Sequence, residues 1–128
     1  MTSVQKAEYI ALLQRAGEAR TFEAGDVVFA EGEPGECLYV VKSGAVSLQQ
    51  GGRQLEEVGP GTIFGEMALI DLGPRSASAV AVTDSELVSI EKRRFWFLVQ
   101  ETPYFAETVM RVMAERLRRR AAVSSTTV

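Results

Sequence analysis

Apolar residues at Val4, Ala7, Ile10, Leu13 and Ala16 recur near a helical period and predict one amphipathic helix at the start of the chain, with Gly17 placed to stop it. Between Arg20 and Lys92 the pattern shortens to β-rich runs broken by glycine: Val27 to Ala30, Cys37 to Lys42, Val46 to Gln50, Gln54 to Val58, Ser78 to Val82 and Leu87 to Ile90. Strands this short and this regularly punctuated predict a small barrel or sandwich. Gly51-Gly52 predicts a tight hairpin, because glycine accepts the positive φ angles that such turns require. After Ser89 the run Lys92-Arg93-Arg94-Phe95-Trp96-Phe97-Leu98-Val99 predicts a helix that buries most of its girth, Phe95, Trp96 and Phe97 included. Thr102 suits an N-cap and Pro103 the first helical position, so a last helix is expected from about Pro103 to Ala121. Its seam is Ala106, Met110, Met113 and Leu117, with Phe105, Val109 and Val112 beside it. Glu107 with Arg111, and Glu115 with Arg118 and Arg119, stand at ion-pair spacing.

These elements fit a single domain over residues 1–128: a helix in 1–18, a β-rich body in 19–91, helices in 92–122 and a small polar tail in 123–128 that is expected to fray. An apolar share of 46% and a charged share of 24% support a globular chain. The net charge of -3 makes the surface as a whole a poor partner for nucleic acid, so direct nucleic-acid contact is not expected. The absence of histidine removes the histidine-based nucleophile systems, histidine zinc sites and the proximal haem histidine. A single cysteine, Cys37, allows no internal disulfide and suits a reducing compartment; its apolar alternating strand makes it a buried small hydrophobe. Lys6, Glu8 and Arg15 interrupt the N-terminal apolar residues, and no later segment approaches a membrane span. A soluble cytoplasmic chain is the expectation, unless it has been cut from a larger membrane protein.

The most informative chemistry lies in 64–78, Phe-Gly-Glu-Met-Ala-Leu-Ile-Asp-Leu-Gly-Pro-Arg-Ser-Ala-Ser. Gly65 lets the backbone approach a ligand without a Cβ in the way, and the residues after it can open a short helix whose free N–H groups attract an anion. Glu66 only accepts hydrogen bonds and suits two ribose or amide donors, while Arg75 offers a planar fork matched to phosphate oxygens. Together they read as a pocket for a small cyclic phosphate.

With both motifs at this separation, the chain resembles the cyclic nucleotide-binding domains of catabolite activator protein, the protein kinase regulatory subunits and nucleotide-gated channels. The resemblance covers most of the chain, including glycines in Ala-Gly-Asp at 24 to 26, Glu-Gly-Glu-Pro-Gly at 31 to 35, Ser-Gly at 43 and 44 and Gly-Pro-Gly at 59 to 61. It implies an antiparallel β-roll, jelly-roll-like, with one helix before it and two after it. It also implies that 64–78 is a phosphate-binding cassette, in which Glu66 binds the ribose 2′-hydroxyl and Arg75 an exocyclic phosphate oxygen. Beside Gly65, the N–H groups of Met67, Ala68 and Ala77 would line the phosphate, with the Ser76 hydroxyl next to them. Serine at position 76 leans the reading to cAMP and leaves cGMP open, while Ser78 reads as a strand residue.

The resemblance implies reversible ligand binding without catalysis and without a cofactor, the last helices shifting as a lid. Met110, Arg111 and Met113 are candidates for a lid over the base, although packing is the first reading of the two methionines and the lid the second. Arg111 and Arg116 could stack on the base, but arginines on a solvated helix more often pair with glutamates. The cluster Arg116, Arg118, Arg119 and Arg120 complements a helix C-terminus without needing nucleic acid. Two rival classes are weighed. One is an interaction module that dimerises or docks an effector through 103–121 and no longer binds nucleotide. The other is an enzyme, for which Glu66 and Asp71 are the only carboxylates near the cassette.

Overall fold

The run Leu38-Tyr39-Val40-Val41 is apolar at every position because the strand that carries it is covered on both faces. In the computed structural model, which describes residues 11–126 and only the backbone over 120–126, this strand is β3 (Cys37–Ser43). Alternation sends Leu38 and Val40 to one side, where they meet Leu13, Val88, Ile90, Phe95, Leu98, Phe105 and Val109. Tyr39 and Val41 go to the other side and meet Phe29, Val46, Leu48, Val58, Phe64, Ala79 and Leu87. One core therefore lies between a sheet and the helices, and a second lies between two sheets.

The remaining strands are β1 (Glu18–Phe22), β2 (Val27–Phe29), β4 (Val46–Gln50), β5 (Arg53–Val58), β6 (Ile63–Phe64), β7 (Ser78–Ala81) and β8 (Ser85–Glu91). They form two four-stranded antiparallel sheets, in the orders β1-β8-β3-β6 and β2-β7-β4-β5. The helices are α1 (residues 11–16), α2 (Met67–Ile70), α3 (Lys92–Glu101) and α4 (Pro103–Thr126). This is the β-roll with flanking helices that the resemblance implies. The first turns of the predicted N-terminal helix, before residue 11, lie outside the described residues.

Several expectations need correction. Strands β1 and β6 were not legible: β1 is an edge strand with four of its five residues exposed, held by backbone pairing to β8, and β6 has only two residues. Helix α4 runs past Ala121 to Thr126, no glycine or proline being there to break it. Helix α3 does not bury most of its girth. Phe95 and Leu98 are buried, whereas Trp96 and Phe97 are exposed. Cys37 is half-buried.

The hairpin at Gly51-Gly52 forms with φ angles of 57° and 79°. Gly44, between β3 and β4, has φ 93°, and a Cβ there would stand 2.2 Å from Ser85 Oγ and 2.6 Å from the Asp84 carbonyl oxygen. Gly52 faces open space. Left-handed backbone costs an alanine about 1–2 kcal/mol at either position. Gly44→Ala must also displace backbone, so it is expected to lose at least about twice the stability of Gly52→Ala in denaturant melts.

Candidate functional site

Residues 64–78 leave the end of β6, turn through α2 and return as β7. Gly65 makes the first turn with φ 81°, and Leu72, exposed with φ 59°, helps make the return. Asp71 Oδ1 accepts from the Gly73 amide at 2.8 Å, which closes that return. Ala68 and Leu69 seat α2 on the core. The loop before β3 clasps the segment from outside: the Arg75 amide donates to Glu33 O at 2.7 Å, and the Gly32 amide donates to Arg75 O at 2.9 Å. Gly35 is needed for that approach, since a Cβ on it would lie 2.4 Å from Ala68 Cβ and 2.9 Å from Arg75 Nε.

Arg75 is 5% exposed. Its Nη1 donates to Gly65 O at 2.8 Å and its Nη2 to Cys37 O at 2.7 Å, and the guanidinium carbon lies 4.0 Å from the Phe29 ring centre. Its Nε is buried without a hydrogen-bond partner. A buried cation held by two carbonyl dipoles, a long contact to Cys37 Sγ at 3.9 Å and an aromatic face still has a full positive charge to be met. Burial, then a hydrogen bond with Cys37, pushes the nearby Tyr39 hydroxyl up to about 12, so that group stays neutral near pH 7.

Glu66 is 2% exposed, and its carboxylate does not cap α2. It accepts from Arg116 Nη1 at 2.6 Å. Arg116, also 5% exposed, comes from α4; it donates through Nη2 to Ile63 O, and its Nε faces Glu56 Oε1 at 3.3 Å. Arg119 Nη1 reaches the other Glu56 oxygen at 3.7 Å. A chain of charges, buried at Glu66 and Arg116, half-buried at Glu56 and exposed at Arg119, thus ties α4 to β5 and to the first turn of the cassette.

Gly65, Glu66, Met67, Ala68, Arg75, Ser76 and Ala77, all seven singled out in the sequence, line one cleft together with Phe29, Leu48 and Arg116. Ser78 sits in β7, where its Oγ accepts from the Glu31 amide at 2.8 Å. The cleft has a volume of about 30 Å³, room for about two waters. Met110, Arg111 and Met113 do not line it. Met110 is 62% exposed, and Arg111 pairs along the helix with Glu107, as its spacing predicts. The residue that α4 does bring is Arg116. Its spacing on a helix suggested glutamate partners, but nothing local pointed to Glu56 or Glu66. Arg119 likewise pairs with Glu56, where Glu115 had been the expected partner. Phe29 under the guanidinium was also not foreseen; its only sequence signal is a place in an apolar run before the glycine-rich loop.

Among the described residues no group of histidine, cysteine, aspartate or glutamate side chains could hold a metal ion, and no helix is long and apolar enough to cross a membrane. A family model described as cyclic nucleotide-binding domain matches residues 19–102, from β1 to the end of α3. The chain is 38% identical over 115 residues to the CRP-like cAMP-activated global transcriptional regulator of Mycobacterium tuberculosis, covering 86% of this chain and 51% of that protein. It is 42% identical over 106 residues to the cyclic AMP receptor protein of Thermus thermophilus, covering 79% and 49%. The crystal structure of the Thermus thermophilus catabolite activator protein superposes with a TM-score of 0.82 at 36% identity, covering 94% of this chain and 59% of that one. The chain spans about half the length of the curated relatives it matches.

Proposed function

The chain belongs to the cyclic nucleotide-binding domain family, and from that premise we propose that residues 1–128 form one non-catalytic sensor domain that reversibly binds a cyclic nucleotide, cAMP in preference to cGMP. The observation that carries the proposal is the cleft itself, in which a buried guanidinium with an unpartnered Nε and a buried carboxylate share one wall. In this reading Arg75 meets the cyclic phosphate, the N–H groups of Met67, Ala68 and Ala77 and the Ser76 hydroxyl surround its oxygens, and Glu66 accepts from the ribose 2′-hydroxyl. The preference for cAMP rests on Ser76 and on the cAMP-responsive relatives. No nucleophile or general base accompanies the site in this reading, so the ligand leaves unchanged.

The geometry also supports a relay. Small-molecule pockets are typically about 300–1,000 Å³. A cleft of about 30 Å³ admits a nucleotide only when something moves. The wall that is not part of the cassette or the sheets is Arg116, and its partner is the carboxylate assigned to the ribose. Nucleotide binding therefore acts on the Arg116–Glu66 pair and so on α4, which is packed against α3 through Phe95 and Phe105. A ligand can shift α4 only by its differential affinity for the two positions of that helix.

Thermal melts test the reading. cAMP at about 100 times its dissociation constant adds about 2.7 kcal/mol, a melting shift of several degrees for a chain of this size. The expected order is cAMP, then cGMP, with a cyclic dinucleotide and 5′-AMP giving little. Unchanged melts with every cyclic nucleotide would favour the interaction-module reading instead. A larger shift with cGMP would reverse only the base preference.

A further inference from the structure

Helix α3 opens with three cations, Lys92, Arg93 and Arg94, and all three are exposed. Helix N-termini carry partial positive charge, so cations in the first turn are unfavourable there. No side chain caps this end, and among the described residues none of the three forms an ion pair. Glu91 offsets one charge and leaves the turn positive. One turn further on, Trp96 and Phe97 are 38% and 49% exposed. Lys92 and Trp96, like Arg93 and Phe97, stand four residues apart on the same face, and the Arg94 guanidinium lies 5.3 Å from the Phe97 ring centre.

We propose that this face of α3 is a docking surface for a short acidic peptide segment that carries apolar side chains, supplied by another protein. Charge complementarity selects the acid: three cations that form no ion pair among the described residues act together with the helix N-terminus within one turn. The two aromatic rings select an apolar contact beside the acid, since exposed aromatics next to arginines are favoured at protein interfaces. The shape of the charge distribution selects a short segment over an extended anionic surface. The chain as a whole carries -3, so a bilayer or a duplex lying across it meets net repulsion beyond the patch, whereas a peptide confined to α3 feels chiefly the local cations, charges further off being screened over about 8 Å. The surface is separate from the cleft, and none of its residues line it.

Trp96 is the only tryptophan in the chain, so its fluorescence reports docking without interference. The probe is a short synthetic peptide of glutamates and aspartates interrupted by two leucines, titrated into the full chain. Expected are a blue shift of the Trp96 emission and an affinity that falls about tenfold or more when the leucines become serine, in Arg93→Glu with Arg94→Glu, or in Phe97→Ser. These side chains are exposed, and an unchanged melting temperature in each variant confirms that folding is not what was lost. Binding that ignores both the charge reversal and Phe97→Ser would overturn the proposal. So would tighter binding to phosphatidylcholine–phosphatidylserine vesicles of about 7:3 ratio, or to duplex DNA, than to the peptide. No fluorescence change at peptide saturation would overturn it as well.

Discussion

Arg75→Ala is expected to weaken cAMP binding by roughly thirty-fold or more in titration calorimetry, because removing one partner of a buried charge pair typically costs about 2–5 kcal/mol. The phosphate assigned to this position has one cation on the cassette to meet it, already desolvated and aligned by two carbonyls and the face of Phe29. Arg75→Lys keeps the charge but not the planar fork, so it should recover only part of the loss. Arg93→Ala, on α3, controls for nonspecific charge. Arg75→Ala is also expected to melt lower without nucleotide. The carbonyls of Gly65 and Cys37 lose their donor, and a buried acceptor left unsatisfied costs about 1–3 kcal/mol. These contacts give Arg75 a part in the fold beside the ligand role proposed for it. Binding is therefore to be measured well below the variant's own melting temperature. Equal cAMP affinity in Arg75→Ala and the parent would remove the nucleotide reading from this cleft.

What was legible in the sequence followed from local rules. Turn glycines and short apolar runs located β2, β3, β4, β5, β7 and β8 to within a few residues, because each of these strands buries side chains on at least one face. Strand β1 left no such trace, since it is held by backbone pairing with β8 and four of its five side chains are exposed. The seven residues of 64–78 that line the cleft could be found because they fall in two short runs, 65–68 and 75–77, close together in the sequence, and their chemistry is written in their types. Arg116 could not, since it meets Glu66 across fifty residues of chain. Its spacing among Arg118, Arg119 and Arg120 looks like a solvated helix end. Only the seating of α4 on the sheet, through Phe105 and Val109, turns Arg116 inward. Arg116 also lies beyond residues 19–102, where the family match ends. Helix α3 misled for the opposite reason. Three consecutive aromatic residues look like core, yet a helix turning about 100° per residue presents only one of three neighbours to the sheet, and that one is Phe95.

Arg116→Ala is expected to be the most damaging single change to the fold among those considered, and to disconnect α4 from the site. Both members of the pair are nearly inaccessible to water, so truncating the arginine leaves the Glu66 carboxylate buried with its charge unmet, and Glu56 loses one of its two cations. Breaking a buried pair from one side costs about 3–5 kcal/mol, which lowers the melting temperature by about 10–20 °C in a chain of this length. Replacing both partners is expected to cost far less than the sum. Glu66→Gln with Arg116→Ala leaves no unpaired charge between the two positions, so a double-mutant cycle should return a coupling energy of about 2 kcal/mol or more. Near-additive losses in that cycle would mean that Arg116 acts mainly through Ile63 and Glu56, the other two contacts it makes. Hydrogen exchange then separates the stability role from the relay. In the parent, cAMP is expected to change protection along α4. In Arg116→Ala the cassette amides should still respond to cAMP while those of α4 do not. An α4 response of parental size in the variant would place the relay on another contact, such as the packing of Phe105 against Phe95.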